Sequence, residues 1–199
     1  LKLSFENIID LLNYDNRNDA GEEHITSYRV PDSGANVLID YKVMTNRTYD
    51  SSHNIVNQMV VRYSTPASDP ATPLDVQEIR SSNFDPTGMA KNQVVVTYSG
   101  YDLARNIGIG QIGVKEIDNS NFSSITNTGT RVITDYSTVV FSGDSAAVSG
   151  PISRQTIYVT QADTRGNPLD QIILSEGFVG GAFTFSGCQE IITLSGEIN

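Results

Sequence analysis

Tryptophan is missing from this chain, cysteine occurs once, and only four of its 199 residues are lysine. A single cysteine, Cys188, rules out an intrachain disulfide and leaves the redox compartment unread. A cysteine nucleophile would also want an activating base, and both histidines lie far from it in sequence. Cys188 is therefore read as a small, half-buried apolar residue between two strand-like segments. The two histidines, His24 and His53, have no Cys partners and no His-x-x-x-His spacing. They give no zinc signature and are expected on surface loops.

Positive charge is equally scarce. Thirteen Lys and Arg face 23 Asp and Glu, for a net charge of -10. The basic residues stand singly along the chain. Nucleic-acid binding needs clustered cations for counterion release, so no nucleic-acid partner is expected. Anionic membrane surfaces are disfavoured for the same reason. No apolar run approaches the ~18 residues of a spanning helix, so no membrane insertion is expected, and no secretory leader is read at the start.

Reactive motifs are absent as well. There is no phosphate-cradling Gly-x-x-x-x-Gly-Lys-Ser/Thr loop and no Gly-x-Ser-x-Gly elbow. Gly108, Gly110 and Gly113 form a Gly-x-Gly-x-x-Gly string. The next residues, Val-Lys-Glu-Ile, are a strand end rather than the helix that a dinucleotide site requires. The string is read as a glycine-interrupted strand, bulged or packed closely on another backbone. The acidic stretch Asp15 to Glu23 supplies four carboxylates after an apparent helix, but it fails the spacing of a calcium loop and is read as a solvated turn. No catalytic, cofactor-binding or metal-binding residue is assigned, no cofactor is expected, and the chain is read as not an enzyme.

What remains is rich in small polar residues: Asn, Ser, Thr and Gly make up 70 of the 199. The pattern is that of an all-β chain, an antiparallel β-sandwich or barrel-like fold with one short N-terminal α-helix. The helix is expected over residues 4–13. Ser4 reads as its N-cap, Leu3 and Ile8 as a hydrophobic staple, and Phe5, Ile8, Ile9 and Leu12 fall on one helical face. Strands are expected over 36–44, 59–63, 93–98, 107–117, 131–141, 155–160, 171–174, 178–185 and 190–194. Turn-forming clusters separate them, such as Pro86-Thr87-Gly88 and Thr164-Arg165-Gly166-Asn167-Pro168. The domain reading is one β domain over 1–199 with a Pro-rich loop at 64–75, or a split there into 1–63 and 74–199.

One internal echo stands out. Val76 to Phe84 matches Val114 to Phe122 at six of nine positions, 38 residues apart. It reads as two hairpin-like units whose Phe tucks back onto the sheet.

A chain without reactive clusters works by shape. The expectation is a non-enzymatic structural subunit of a larger assembly, in a virion or outside the cell. A phage tail, neck or capsid-decorating protein would pack against copies of itself and other assembly proteins. The alternative is a secreted or cell-surface binding module: an adhesin, a pilus subunit or a carbohydrate-binding domain. Tyr98, Tyr101 and Tyr158 would stand in there for the missing Trp platforms, although half-buried strand aromatics are the plainer reading of each.

Overall fold

The computed structural model describes residues 4–64 and 72–193. Eleven strands succeed one another: β1 Ser4–Tyr14, β2 Ala20–Val30, β3 Val37–Tyr49, β4 Ile55–Tyr63, β5 Asp75–Phe84, β6 Ala90–Asp102, β7 Ile107–Ser123, β8 Thr128–Ser142, β9 Ser145–Ala162, β10 Pro168–Val179 and β11 Ala182–Ile192. They form one antiparallel sheet in sequence order. The fold is all-β, and no helix occurs among the described residues.

The expected helix at 4–13 is therefore corrected. Those residues form β1, which pairs with β2 from Ser4↔Val30 to Tyr14↔Ala20. A lone helix of about ten residues is marginal in water because nucleation is costly. The acidic stretch turns the chain straight back on itself, and a strand ladder satisfies backbone groups that a short helix would leave open. The staple drawn through Leu3 involves a residue outside the described ones. So do Leu194, at the end of the last expected strand, and residues 65–71 of the Pro-rich loop. Two further expectations change. Ala20 to Val30, read partly as loop, is strand β2. Phe178 to Phe185, read as one strand, is a hairpin that turns at Gly180 and Gly181, both with positive φ.

Why the chain meanders is written in its turns. Four hairpins, β1/β2, β3/β4, β5/β6 and β9/β10, close on the same five-residue device headed by Asp15, Asp50, Asp85 or Asp163. In each, the Asp N–H donates to the carbonyl of the fifth residue, and the Asp carbonyl accepts from the N–H of the fourth. The Asp Oδ1 then accepts from the N–H groups of the third and fifth residues, at 2.8–3.1 Å. The fourth residue is left-handed in all four: Asn18, His53, Gly88 and Gly166, with φ between 63° and 84°. Left-handed backbone suits Gly and is tolerated by Asn, so the sequence signal is Asp with Gly or Asn three residues later.

The chain divides into two compact units, 1–80 with 96–112 and 81–95 with 113–199. The first unit's core is a cluster of Tyr41, Met59, Val61, Tyr63 and Val76, against which Val43, Tyr98 and Tyr101 pack. Strand β4 shows why: Met59, Val61 and Tyr63 alternate inward while Arg62 stays exposed, the period-two pattern of a half-buried strand. Register then lines up Val43, Val61 and Val76 across three strands. In the second unit, Val94, Val114, Phe122 and Val159 are the buried apolar side chains, with Ala90 beside them. Val61, Val76 and Val114 are almost wholly enclosed, and each loses enough apolar surface to contribute about 2 kcal/mol.

The two echoed segments make matching contacts on β5 and β7. Val76 and Val114 are both 1% exposed. Glu78 accepts from the Tyr98 hydroxyl at 2.8 Å, and Glu116 from the Tyr136 hydroxyl at 3.0 Å. Phe84 and Phe122 lie at or near the ends of β5 and β7.

Candidate functional site

Strand β1 carries the surface least explained by folding alone. An edge strand that only needs to end a sheet is ordinarily polar, charged, short or bulged. This one is eleven residues long and apolar on both faces. Phe5, Ile9 and Leu11 project to one side and Ile8, Leu12 and Tyr14 to the other, and all six are between 41% and 66% exposed. Among the described residues, β1 pairs with β2 alone. Its other edge therefore offers a row of N–H and C=O groups between two apolar faces. Glu6 and Asp10 are its only charges, both acidic. Glu6 accepts from the Asn36 amide at 2.6 Å, which leaves Asp10 as the one carboxylate of the strand without such a bond among the described residues.

The strand is held in place at its turn. Arg17 donates to the Asp50 carbonyl at 2.8 Å and pairs with Asp19 at 2.8 Å, while His53 meets the same Asp19 at 2.7 Å. The β1/β2 turn is thereby tied to the β3/β4 turn through a nearly buried aspartate, 8% exposed. The turn carboxyls are held below the ordinary aspartate range by the hydrogen bonds they accept. The Asp19 N–H does this for Asp15, Asn54 for Asp50, the hydroxyls of Thr87 and Ser124 for Asp85, and Asn167 for Asp163.

Of the other residues singled out in the sequence, His24 lies in β2 rather than on a loop. Its ring nitrogens meet Glu22 at 2.5 Å and the Tyr41 hydroxyl at 3.1 Å, so a strand histidine braces the core aromatic. His53 does sit in a turn. Cys188 is exposed in β11 opposite Leu174 rather than half-buried; β11 ends the sheet order and, among the described residues, has a strand on one side only. The glycine string lies within β7: Gly110 has φ +67°, and a Cβ at Gly108 would overlap the Tyr98 ring. Tyr98 and Tyr101 pack on the first unit's core, and burial, together with the bond to Glu78, pushes the Tyr98 hydroxyl above its ordinary range. Tyr158, 38% exposed, belongs to the second unit, so the three tyrosines form no common platform in either.

No group of three or more His, Cys, Asp or Glu able to hold a metal occurs among the described residues, the carboxylates of 15–23 included. Asp15 and Asp19 are instead occupied by turn N–H groups, Arg17 and His53. The feature that sequence reasoning missed is β1 itself. A run with apolar residues on both strand faces also satisfies a helical stripe, so the same residues predict a helix. No protein-family model matches the chain, and no curated protein or solved structure shows significant similarity to it.

Proposed function

We propose that this protein is a non-enzymatic structural subunit that works by packing, with β1 as its docking strand. The observation that carries the reading is the β1 edge, apolar on both faces and paired on one side. Pairing with a strand of a second copy would satisfy the open backbone edge and cover both rows of apolar side chains together. The partners are copies of the chain and other proteins of the same assembly. A Lys-poor composition rich in Asn, Ser, Thr and Gly favours a virion or extracellular setting, a phage tail, neck or capsid-decorating protein among the candidates.

The test is solution mass against concentration, by light scattering, for the wild type and for Ile8→Lys/Ile9→Lys, which places one cation on each face of β1. The wild type should grow past the 21.6 kDa monomer while the double variant stays there with its circular dichroism unchanged. A wild type that remains monomeric throughout, or a double variant that assembles like it, removes the reading. The second reading, a binding module, is favoured by one observation, a cavity of about 250 Å³ lined by Arg131, Phe122, Val159 and Gln171.

A further inference from the structure

Four arginines among the described residues are withdrawn from full exposure: Arg47, Arg80, Arg131 and Arg154. Three have a carboxylate of the chain against the guanidinium. Arg47 meets Glu23 at 2.9 Å, Arg154 meets Glu176 at 2.6 Å, and Arg80 pairs with Glu78. Arg131 has none among the described residues, in a protein with ten more acids than bases. Its Nε donates to the neutral Asn119 Oδ1 at 2.6 Å, and its guanidinium lies 4.7 Å from the centre of the Phe122 ring. A half-buried cation so held is oriented but not neutralised, and such a charge is costly to keep without a counter-charge.

Beside it is a cavity of about 250 Å³ within the second unit. Register explains how it forms. Phe122, Gly129, Val159 and Gln171 stand side by side on β7, β8, β9 and β10, and a Cβ at Gly129 would overlap the Asn121 carbonyl oxygen of β7. Arg131 and Ile157 are opposed in the next row on the same face. The floor is therefore apolar, with Val159 only 6% exposed, and the one charged lining group is Arg131. Two amides, Asn127 and Gln171, also line it, and neither side chain is hydrogen-bonded to a described residue. Gly166 makes room at the rim, since a Cβ there would stand 2.7 Å from the Asn127 amide nitrogen.

A second cavity, of about 490 Å³ beside the β5/β6 turn, lacks this character. Its polar groups satisfy one another: Ser124 donates to Asp85 and meets Thr87, and Lys91 donates to the Phe122 carbonyl.

We propose that the cavity beside Arg131 binds a carboxylate-bearing monosaccharide, a sugar acid. The carboxylate takes the fork of guanidinium N–H groups left open once Nε is committed to Asn119. The C–H face of the ring lies on Val159, Ile157 and the Phe122 edge. The amides of Asn127 and Gln171, each both donor and acceptor, take the hydroxyls. At about 250 Å³ the cavity is smaller than a drug-sized site, which admits one ring and not a chain of them. This site is independent of the β1 surface.

The test is calorimetric titration of the full chain with glucuronate, with glucose, acetate and inorganic phosphate as separate arms. Glucuronate should bind saturably, and the three controls about tenfold more weakly or worse, since each lacks either the charge or the ring. Arg131→Gln should lose about tenfold or more in glucuronate affinity. Gln171→Ala, which removes no side-chain hydrogen bond to a described residue, should lose severalfold with its melting temperature unchanged, and it carries the test if Arg131→Gln does not fold. Failure of glucuronate to saturate, equal binding of glucose, acetate or phosphate, or wild-type affinity in the folded variants each overturns the proposal.

Discussion

Asp15, Asp50, Asp85 and Asp163 each hold a turn with a carboxylate that accepts from two backbone N–H groups, and each has a left-handed residue three positions on. Two consequences can be measured. Gly88→Ala and Gly166→Ala force a Cβ into left-handed backbone and should each cost about 1–2 kcal/mol. Gly187→Ala, where φ is not positive and nothing lies within 4 Å of the new Cβ, should be neutral in the same denaturant titration. The second consequence is acid sensitivity. These carboxyls are lowered in the folded chain, so the stability they contribute is complete above the ordinary aspartate value. It is lost as the pH falls through the lowered folded values. The melting temperature should therefore drop as the pH falls below about 4, and less steeply in Asp50→Asn/Asp163→Asn, which keeps an acceptor oxygen and removes the titration. A double variant as acid-sensitive as the wild type would assign the loss to other groups.

Strand β1 shows what a period can hide. Phe5, Ile8, Ile9 and Leu12 lie on one face of a helix and on both faces of a strand, and only the presence of β2 decides between them. Its state predicts a pattern in amide exchange. In an antiparallel edge strand alternate N–H groups point to the partner and to solvent. Residues 5–13 of the monomer should thus alternate between slow and fast exchange, and uniform protection along the segment would mean a helix or an occupied edge. Legibility differed among the other elements for related reasons. Strands β3, β4, β6, β8 and β9 announced themselves through β-branched runs, and the glycine string was recognised inside β7. Strand β2 was not, because Glu22, Glu23 and His24 look like loop when their partners Asn13, Arg47 and Tyr41 are unknown. The β10/β11 hairpin was missed because Gly180 and Gly181 sit between aromatics that read as one continuous strand. No local signal marked the cavity beside Arg131. It is built by register across four strands, which brings Phe122, Arg131, Val159 and Gln171 together from β7, β8, β9 and β10.

In the proposed assembly two opposed forces act on a molecule with ten excess negative charges and an apolar edge strand. Each copy repels the next over roughly a Debye length, about 10 Å at 0.1 M salt, while apolar contact acts only when the strands meet. Screening weakens the first and leaves the second intact. Self-association through β1 should therefore strengthen as salt rises from about 0.02 M to about 0.5 M, with the light-scattering transition moving to lower protein concentration. An interface made by ion pairs would respond in the opposite direction, since the same screening would dissolve it. The slope also separates two origins of any association seen. If Ile8→Lys/Ile9→Lys abolishes assembly at every salt concentration, the contact is the one on β1. If the double variant still assembles and loosens with salt, the acidic surface has found its own cationic partner, and the docking strand lies elsewhere.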